Sequence, residues 1–226
     1  MGQDKLEKER RKLLQKAKEA NGKTIGEIDT THILDNPKNK GSIGQVVQVY
    51  LGKRLDNSPA PDFEECGLEL KVTGLVPNIN TKTHAYRAKE RLVLHNIDYN
   101  EDYKFDFEHS GLLDKCADML ITCYEYIRAE NGEKTNFGSF PIIDSFIYLI
   151  PKEDLEVLKH DYDVIINKIK EGKADEISES DTDYLAACTK ASDSTVRKTQ
   201  PFSENPAKPR AFSLKQSYIN SIIREY

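Results

Sequence analysis

No stretch of this 226-residue chain approaches the roughly 20 consecutive apolar residues that a membrane-spanning helix needs. The N-terminus, Met1 to Lys23, is crowded with Lys, Arg and Glu, which excludes a secretory signal. Cysteine is scarce. Cys66, Cys116, Cys123 and Cys188 form no Cys-x-x-Cys pair, so neither a zinc site nor a disulfide framework is indicated. Scattered cysteines without a signal peptide read as reduced core residues in a cytoplasmic protein. A net positive charge is also missing, the balance being −5. That total hides an asymmetry. Residues 1–97 carry 17 Lys+Arg against 13 Asp+Glu, residues 98–183 carry 9 against 22, and residues 184–226 carry 7 against 3. The acidic middle is a poor surface for nucleic acid. The two basic ends could meet around a phosphate backbone, or could simply be solvated.

What is present centres on Pro61-Asp62-Phe63-Glu64-Glu65-Cys66-Gly67-Leu68-Glu69-Leu70-Lys71-Val72-Thr73. Leu68, Leu70 and Val72 alternate with Glu69, Lys71 and Thr73, the period-2 pattern of a strand with one buried face. Glu69 and Lys71 then share the solvent face, and Asp62 reaches it by a short turn. Two carboxylates can hold a hard cation such as Mg²⁺. A lysine beside them can orient a water and stabilise charge on a phosphorane. The same Glu-x-Lys is also what a solvated salt-bridge face looks like.

Along the chain, residues 4–20 predict an amphipathic helix with Leu6, Leu13, Leu14 and Ala17 on its apolar stripe, stopped at Asn21-Gly22. Residues 24–28 predict a short second turn or helix. His32 falls in a polar loop. A buried helix is expected from Ser42, with Ile43, Val46, Val47, Tyr50 and Leu51 inside. Gly44 within it suggests close packing against another element, and Gly52 a C-terminal cap. Further strands are expected around Leu92–Leu94, Met119–Ile127 and Phe140–Ile150, the last two joined through an Asn131-Gly132 turn. Lys152–Lys170 predicts a long amphipathic helix ended by Gly172. Residues 189–210 predict basic loops, 211–215 a short strand or turn, and 218–226 a closing helix. Strands mixed with helices in this order imply an α/β or α+β domain.

The spacing Lys40-Gly41-x-Ile43-Gly44-x7-Gly52, followed by Pro61-x-Phe63-x3-Gly67-x-Glu69-Leu70-Lys71, resembles the MutH and Sau-three-AI family of GATC-specific endonucleases. Tyr184-Leu185-x3-Thr189-Lys190-Ala191 and Arg210-Ala211-Phe212-Ser213-Leu214-Lys215 are closer to the restriction-enzyme branch. The resemblance implies a restriction-endonuclease-like α/β fold of the PD-(D/E)xK type, a mixed sheet flanked by helices in two lobes around a DNA cleft. It matches the N-terminal, catalytic half of such restriction enzymes. A second, allosteric DNA-binding half would therefore be missing from this chain.

The resemblance further implies catalysis by Asp62, Glu69 and Lys71, with Mg²⁺ (or Mn²⁺ in its place) on Asp62, Glu69 and the Leu70 carbonyl. A further acid, eight residues beyond Lys40, is replaced here by Gln48, an amide that brings no charge. That leaves two readings, a working nuclease with a weakened site and a silent GATC-binding module. Lys40, Lys115, Lys190, Arg197, Arg210, Ser213 and Lys215 are the candidates for DNA contact. Ser213, small where the MutH branch has Tyr, implies tolerance of N6-methyladenine. Double-stranded DNA containing GATC is the expected partner, with a cognate methyltransferase in the same system and no membrane.

Overall fold

A computed structural model describes residues 2–56, 58, 60–79, 85–129, 133–191 and 193–223. In chain order the elements are α1 (Gln3–Lys18), α2 (Ile25–Ile28), α3 (Ser42–Tyr50), β1 (Glu69–Pro77), β2 (Tyr86–Ala88), β3 (Leu92–Asn96), α4 (Gly111–Asp114), β4 (Asp118–Glu125), β5 (Ile142–Leu149), α5 (Lys152–Lys170), β6 (Leu185–Thr189), β7 (Lys198–Gln200), β8 (Ser203–Ala207), β9 (Arg210–Leu214) and α6 (Gln216–Ile223), with short 3₁₀ turns between them. The chain divides into two compact units. One comprises residues 1–90, 118–149 and 223–226, and the other residues 91–117 and 150–222. Among the described residues no helix is long and apolar enough to cross a membrane.

The first unit is built on a four-stranded mixed sheet, ordered β2-β1-β4-β5. β1 runs parallel to β4 and antiparallel to β2, while β4 and β5 pair antiparallel as expected of a hairpin. The Asn131-Gly132 turn itself lies outside the described residues. Leu70 of β1, Leu120 of β4 and Ile147 of β5 stand opposite one another in register. They belong to one apolar cluster with Leu6, Leu13, Leu14 and Ala17 of α1, Ile25 and Ile28 of α2, and Val46 and Val47 of α3. The three helices therefore cover the Leu70 face of the sheet. α1 has Asp4 in its first turn and Lys16 and Lys18 in its last, each sign opposing the helix dipole. α2 is only four residues long and starts from a capping box, in which Thr24 accepts from Glu27 N and Glu27 accepts from Thr24 N.

Several expectations are corrected. β1 does not have one solvent face: Glu69, Lys71 and Thr73 are buried along with Leu68 and Leu70. In register with Glu69 and Lys71 stand Met119, Tyr148, Ile121 and Phe146, all buried, so the charged pair lies on an apolar face. Period 2 reports polarity and not exposure, and a strand buried on both faces can still alternate. Gly44 is not a close-packing glycine, because a Cβ placed there would meet nothing within 4 Å.

The second unit holds a three-stranded antiparallel sheet, ordered β3-β9-β6, and the hairpin β7–β8. That hairpin replaces part of the loops expected over 189–210, and β6 was not foreseen at all. α5 covers Lys152–Lys170 as its periodicity predicts, with Leu158, Tyr162, Ile165, Ile166 and Ile169 buried. Asp161 on the same helix is also buried, and accepts hydrogen bonds from the backbone N–H groups of Asp183, Tyr184 and Leu185 at 2.9, 2.7 and 2.8 Å. A carboxylate satisfied by three backbone donors is stable in an apolar setting, and this one fixes the entry to β6. All four cysteines are free and buried.

Candidate active site

The site grows from the turn that precedes β1. Phe63 N donates to the Leu68 carbonyl at 2.9 Å, and Leu68 N to the Phe63 carbonyl at 3.2 Å. This closes a tight turn through Glu64, Glu65, Cys66 and Gly67. Gly67 has φ of 59°, the left-handed region that glycine enters without strain. Phe63, Cys66 and Leu68 anchor the turn in the apolar cluster beneath it.

Asp62 and Glu69 flank the turn and are tied across it. Asp62 N donates to Glu69 Oε2 at 3.2 Å, and Leu70 N donates to Asp62 Oδ2 at 3.0 Å. Lys71 Nζ donates to Glu69 Oε1 at 2.9 Å. The three residues singled out in the sequence thus form one hydrogen-bonded network, Asp62 joining it through its backbone N–H and through Leu70 N. Glu69 is 6% and Lys71 8% exposed. At such burial a charge persists only when paired and hydrogen-bonded, and here the pairing is mutual.

Gln48 lies on α3. Its Nε2 donates to the Arg54 carbonyl at 3.2 Å, while its backbone carbonyl accepts from Lys53 N at 3.1 Å. The amide ties down the chain leaving α3, and no hydrogen bond joins it to Asp62 or Glu69 among the described residues. Lys53, missed in the sequence, has its Nζ 3.1 Å from Asp56 Oδ2. Its pKa is raised, first by the hydrogen bond to Asp56 and further by the charges of Glu64 and Asp62.

Arg10 and Asp118 were also missed. Arg10 Nε donates to the Cys66 carbonyl at 2.9 Å, and its Nη2 pairs with Asp118. Their partners lie 56 and 108 residues away in sequence, so no local pattern could have signalled them.

The candidate DNA-contact residues differ in exposure, and Arg197 already donates from Nη1 to the Ser194 and Val196 carbonyls at 2.6 and 2.9 Å. Lys40, Lys190 and Arg197 are exposed, and Lys115 is half-buried at the end of α4. Arg210, Ser213 and Lys215 bond to more distant segments of the second unit. Arg210 donates from Nη1 to the Ala187 carbonyl at 2.7 Å and from Nη2 to the Ile177 carbonyl at 2.5 Å. Lys215 Nζ donates to the Thr182 carbonyl. Ser213 is 0% exposed and its Oγ donates to the Ala186 carbonyl at 3.2 Å. These three bonds stitch β9 and the residue after it to neighbouring segments, while Arg210 Nε is buried without a hydrogen-bond partner among the described residues.

A mixed sheet flanked by helices, with Pro61-Asp62 and Glu69-x-Lys71 on the strand and turn of one unit, defines a restriction-endonuclease-like α/β protein. The family model for the DNA mismatch repair enzyme MutH matches residues 51–161. The chain is 38% identical over 213 residues to the type II restriction enzyme Sau3AI of Staphylococcus aureus, covering 93% of this chain and 42% of that enzyme. It is 24% identical over 221 residues to the DNA mismatch repair protein MutH of Shewanella sp. (strain W3-18-1), covering 94% of this chain and 93% of that protein. The solved "Restriction endonuclease MvaI-cognate DNA substrate complex" covers 96% of this chain and 95% of its own, at 13% identity and a TM-score of 0.36, a level at which the two folds are not equated. The chain is thus similar to both the Sau3AI and the MutH proteins over more than nine-tenths of its own length.

Proposed function

We propose that the chain is the catalytic part of a type II restriction endonuclease that cuts double-stranded DNA at GATC with Mg²⁺. The single observation behind this reading is the network joining Asp62, Glu69 and Lys71. The donor set suits the metal. Two carboxylates and a backbone carbonyl are hard oxygen ligands, and Mg²⁺ is typically held by one or two carboxylates while keeping several waters. No group of three or more His, Cys, Asp or Glu side chains comes together among the described residues, so a cage made wholly of side chains is not what this site offers. Asp62, Glu69 and the Leu70 carbonyl would hold the ion, with Mn²⁺ as a substitute. Bound there, it would lower the pKa of a water and offset charge at the phosphate.

The chain's own residues do the rest. Leu70 N fixes one Asp62 oxygen, leaving the carboxylate a defined direction. Glu69 holds the Lys71 ammonium by one oxygen, so Lys71 is oriented before DNA arrives. Lys71 can then hold the attacking water and stabilise the negative charge that develops on the phosphorane. Exposed Lys40 and Lys190 are available to phosphates, and Arg197, whose Nη1 already donates to the Ser194 and Val196 carbonyls, would reach one through its other donors. Tolerance of N6-methyladenine is part of the proposal. What supports it is the size of Ser213: a buried serine whose Oγ donates to the Ala186 carbonyl carries no bulky ring that would exclude a methyl group.

The chain spans 42% of the length of the Staphylococcus aureus enzyme. A second DNA-binding half, a cognate methyltransferase and a cytoplasmic location belong to the same proposal. One observation favours the alternative, a GATC-binding module without cleavage: Gln48 supplies no carboxylate and its amide is engaged with Arg54.

The test is cleavage of duplexes carrying one GATC, unmethylated, hemimethylated or fully methylated at adenine N6, in Mg²⁺ and in EDTA. Equal Mg²⁺-dependent cutting of all three is expected, and none of a duplex with one base changed. A tenfold or greater loss on the fully methylated duplex contradicts the tolerance. Tight GATC binding without cutting establishes the alternative.

A further inference from the structure

The turn carrying the two carboxylates is held from α1 by the guanidinium of Arg10. Arg10 lies midway along α1, and Leu6, Leu13 and Leu14 seat that helix on the cluster that includes Cys66, Leu68 and Leu70. The guanidinium therefore projects from a fixed backbone. Its Nε donates to the carbonyl of Cys66, which lies between Asp62 and Glu69 in the turn. Its Nη2 pairs with Asp118, the first residue of β4. The next residue, Met119, stands opposite Glu69 in the parallel ladder. One planar fork thus ties the turn and the neighbouring strand together at the end of the sheet where Glu69 and Lys71 stand. The Arg10 side chain is 16% exposed and that of Asp118 36%, which distinguishes this pair from the open Glu7–Arg11 pair on the same helix, at 57% and 81%.

We propose that Arg10 is a positioning residue that sets the separation of Asp62 and Glu69 by clamping the Cys66 carbonyl to the start of β4. The inference rests on the nuclease reading only for its effect on cleavage, since the geometry stands without it. Without the clamp the Phe63–Gly67 turn keeps its own hydrogen bonds and its apolar anchor but loses its polar tie to the start of β4. The two bonds that read the carboxylate spacing, Asp62 N to Glu69 and Leu70 N to Asp62, should then open more often. Lysine cannot replace the fork. Its ammonium is a point charge with no planar pair of donors aimed at both a carbonyl and a carboxylate.

The experiment compares Arg10→Lys and Arg10→Met with wild type, and Arg11→Met as a control, in the whole chain. Amide hydrogen exchange is read residue by residue without DNA or metal. Both Arg10 variants should exchange at Asp62 and Leu70 at least tenfold faster, with amides of α5 and β9 unchanged and Arg11→Met like wild type. With GATC duplex and Mg²⁺, kcat should fall at least tenfold while KM for DNA stays within twofold. Should Arg10→Met not fold, Arg10→Lys and Asp118→Asn carry the same comparison. Unchanged exchange at Asp62 and Leu70, a uniform rise across the first unit, or full rescue by lysine each overturns the clamp. If wild type cuts no GATC duplex while exchange at the two amides still accelerates in the variants, the nuclease reading fails and the clamp stands.

Discussion

Replacing Glu69 by Ala should weaken the fold as well as the chemistry. A strand with Glu69 on a solvent face would lose almost nothing in stability, because exposed substitutions usually stay within about 0.5 kcal/mol. The structure leads to a different number. Glu69 is buried, with Lys71 Nζ 2.9 Å from one oxygen and Asp62 N 3.2 Å from the other. Removing one member of a buried pair typically costs about 3–5 kcal/mol, because the other charge stays behind. Lys71 has further interactions, so the lower end applies, and the lost acceptor for Asp62 N is included in it. A loss of about 3 kcal/mol is expected, equivalent to a fall in Tm of roughly 6–12 °C for a chain of this size. Adding Lys71→Met to Glu69→Ala should recover part of that loss, with a coupling energy of about 0.5–3 kcal/mol. Urea unfolding of the four proteins in the cycle gives all the values. Glu69→Ala within 0.5 kcal/mol of wild type, or no recovery in the double variant, refutes the buried-pair argument.

Gln48→Glu should act in opposite directions on two readouts. A carboxylate cannot donate to the Arg54 carbonyl, so stability should drop by about 1 kcal/mol, while an added negative charge near the metal ligands should raise cleavage and lower the Mg²⁺ concentration required; unchanged or slower cleavage shows that Gln48 does not occupy a ligand position. Arg210→Met should destabilise by about 2–4 kcal/mol, since it strips two carbonyls of their donors, and a variant as stable as wild type but weaker on DNA would show that Arg210 is spent on DNA after all. Burial pushes the Cys66 thiol up to about 11 and Cys123 to about 12. At pH 8 both stay protonated by factors of roughly 10³ or more, so a thiol reagent should label them only after urea unfolding, and rapid labelling of the native chain contradicts their burial.

How much was legible depended on the range of the interactions. α1, α3 and α5 follow local apolar periodicity, so residues 3–18, 42–50 and 152–170 could be read from the chain alone. Asp62, Glu69 and Lys71 lie within ten residues of each other, and a tight turn followed by a strand brings them together with little help. What the sequence could not show was burial. Whether Lys71 faces solvent depends on what covers Met119, Ile121 and Phe146 on the neighbouring strands, which is decided by distant segments. The same holds for Ser213, Arg210 and Lys215, which resemble recognition residues in type yet spend their polar groups on the backbone of β6 and the segments before it. β6 itself, Leu185–Thr189, is short, and its first four residues are all apolar and buried, without the alternation that marks a strand. Arg10 was hidden because its two partners lie far along the chain.

The central claim, that Asp62, Glu69 and Lys71 form a metal-dependent phosphodiesterase site, is tested most directly by mapping cut ends. A plasmid with known GATC sites is incubated with wild type and with Asp62→Asn. Asparagine keeps an oxygen for Leu70 N, so folding is preserved while the charge is lost. The ends made in Mg²⁺ are then sequenced. The account predicts breaks at GATC from wild type and none from Asp62→Asn, at equal binding of the uncut site. Breaks at GATC that persist in Asp62→Asn, or that form in EDTA, would contradict it.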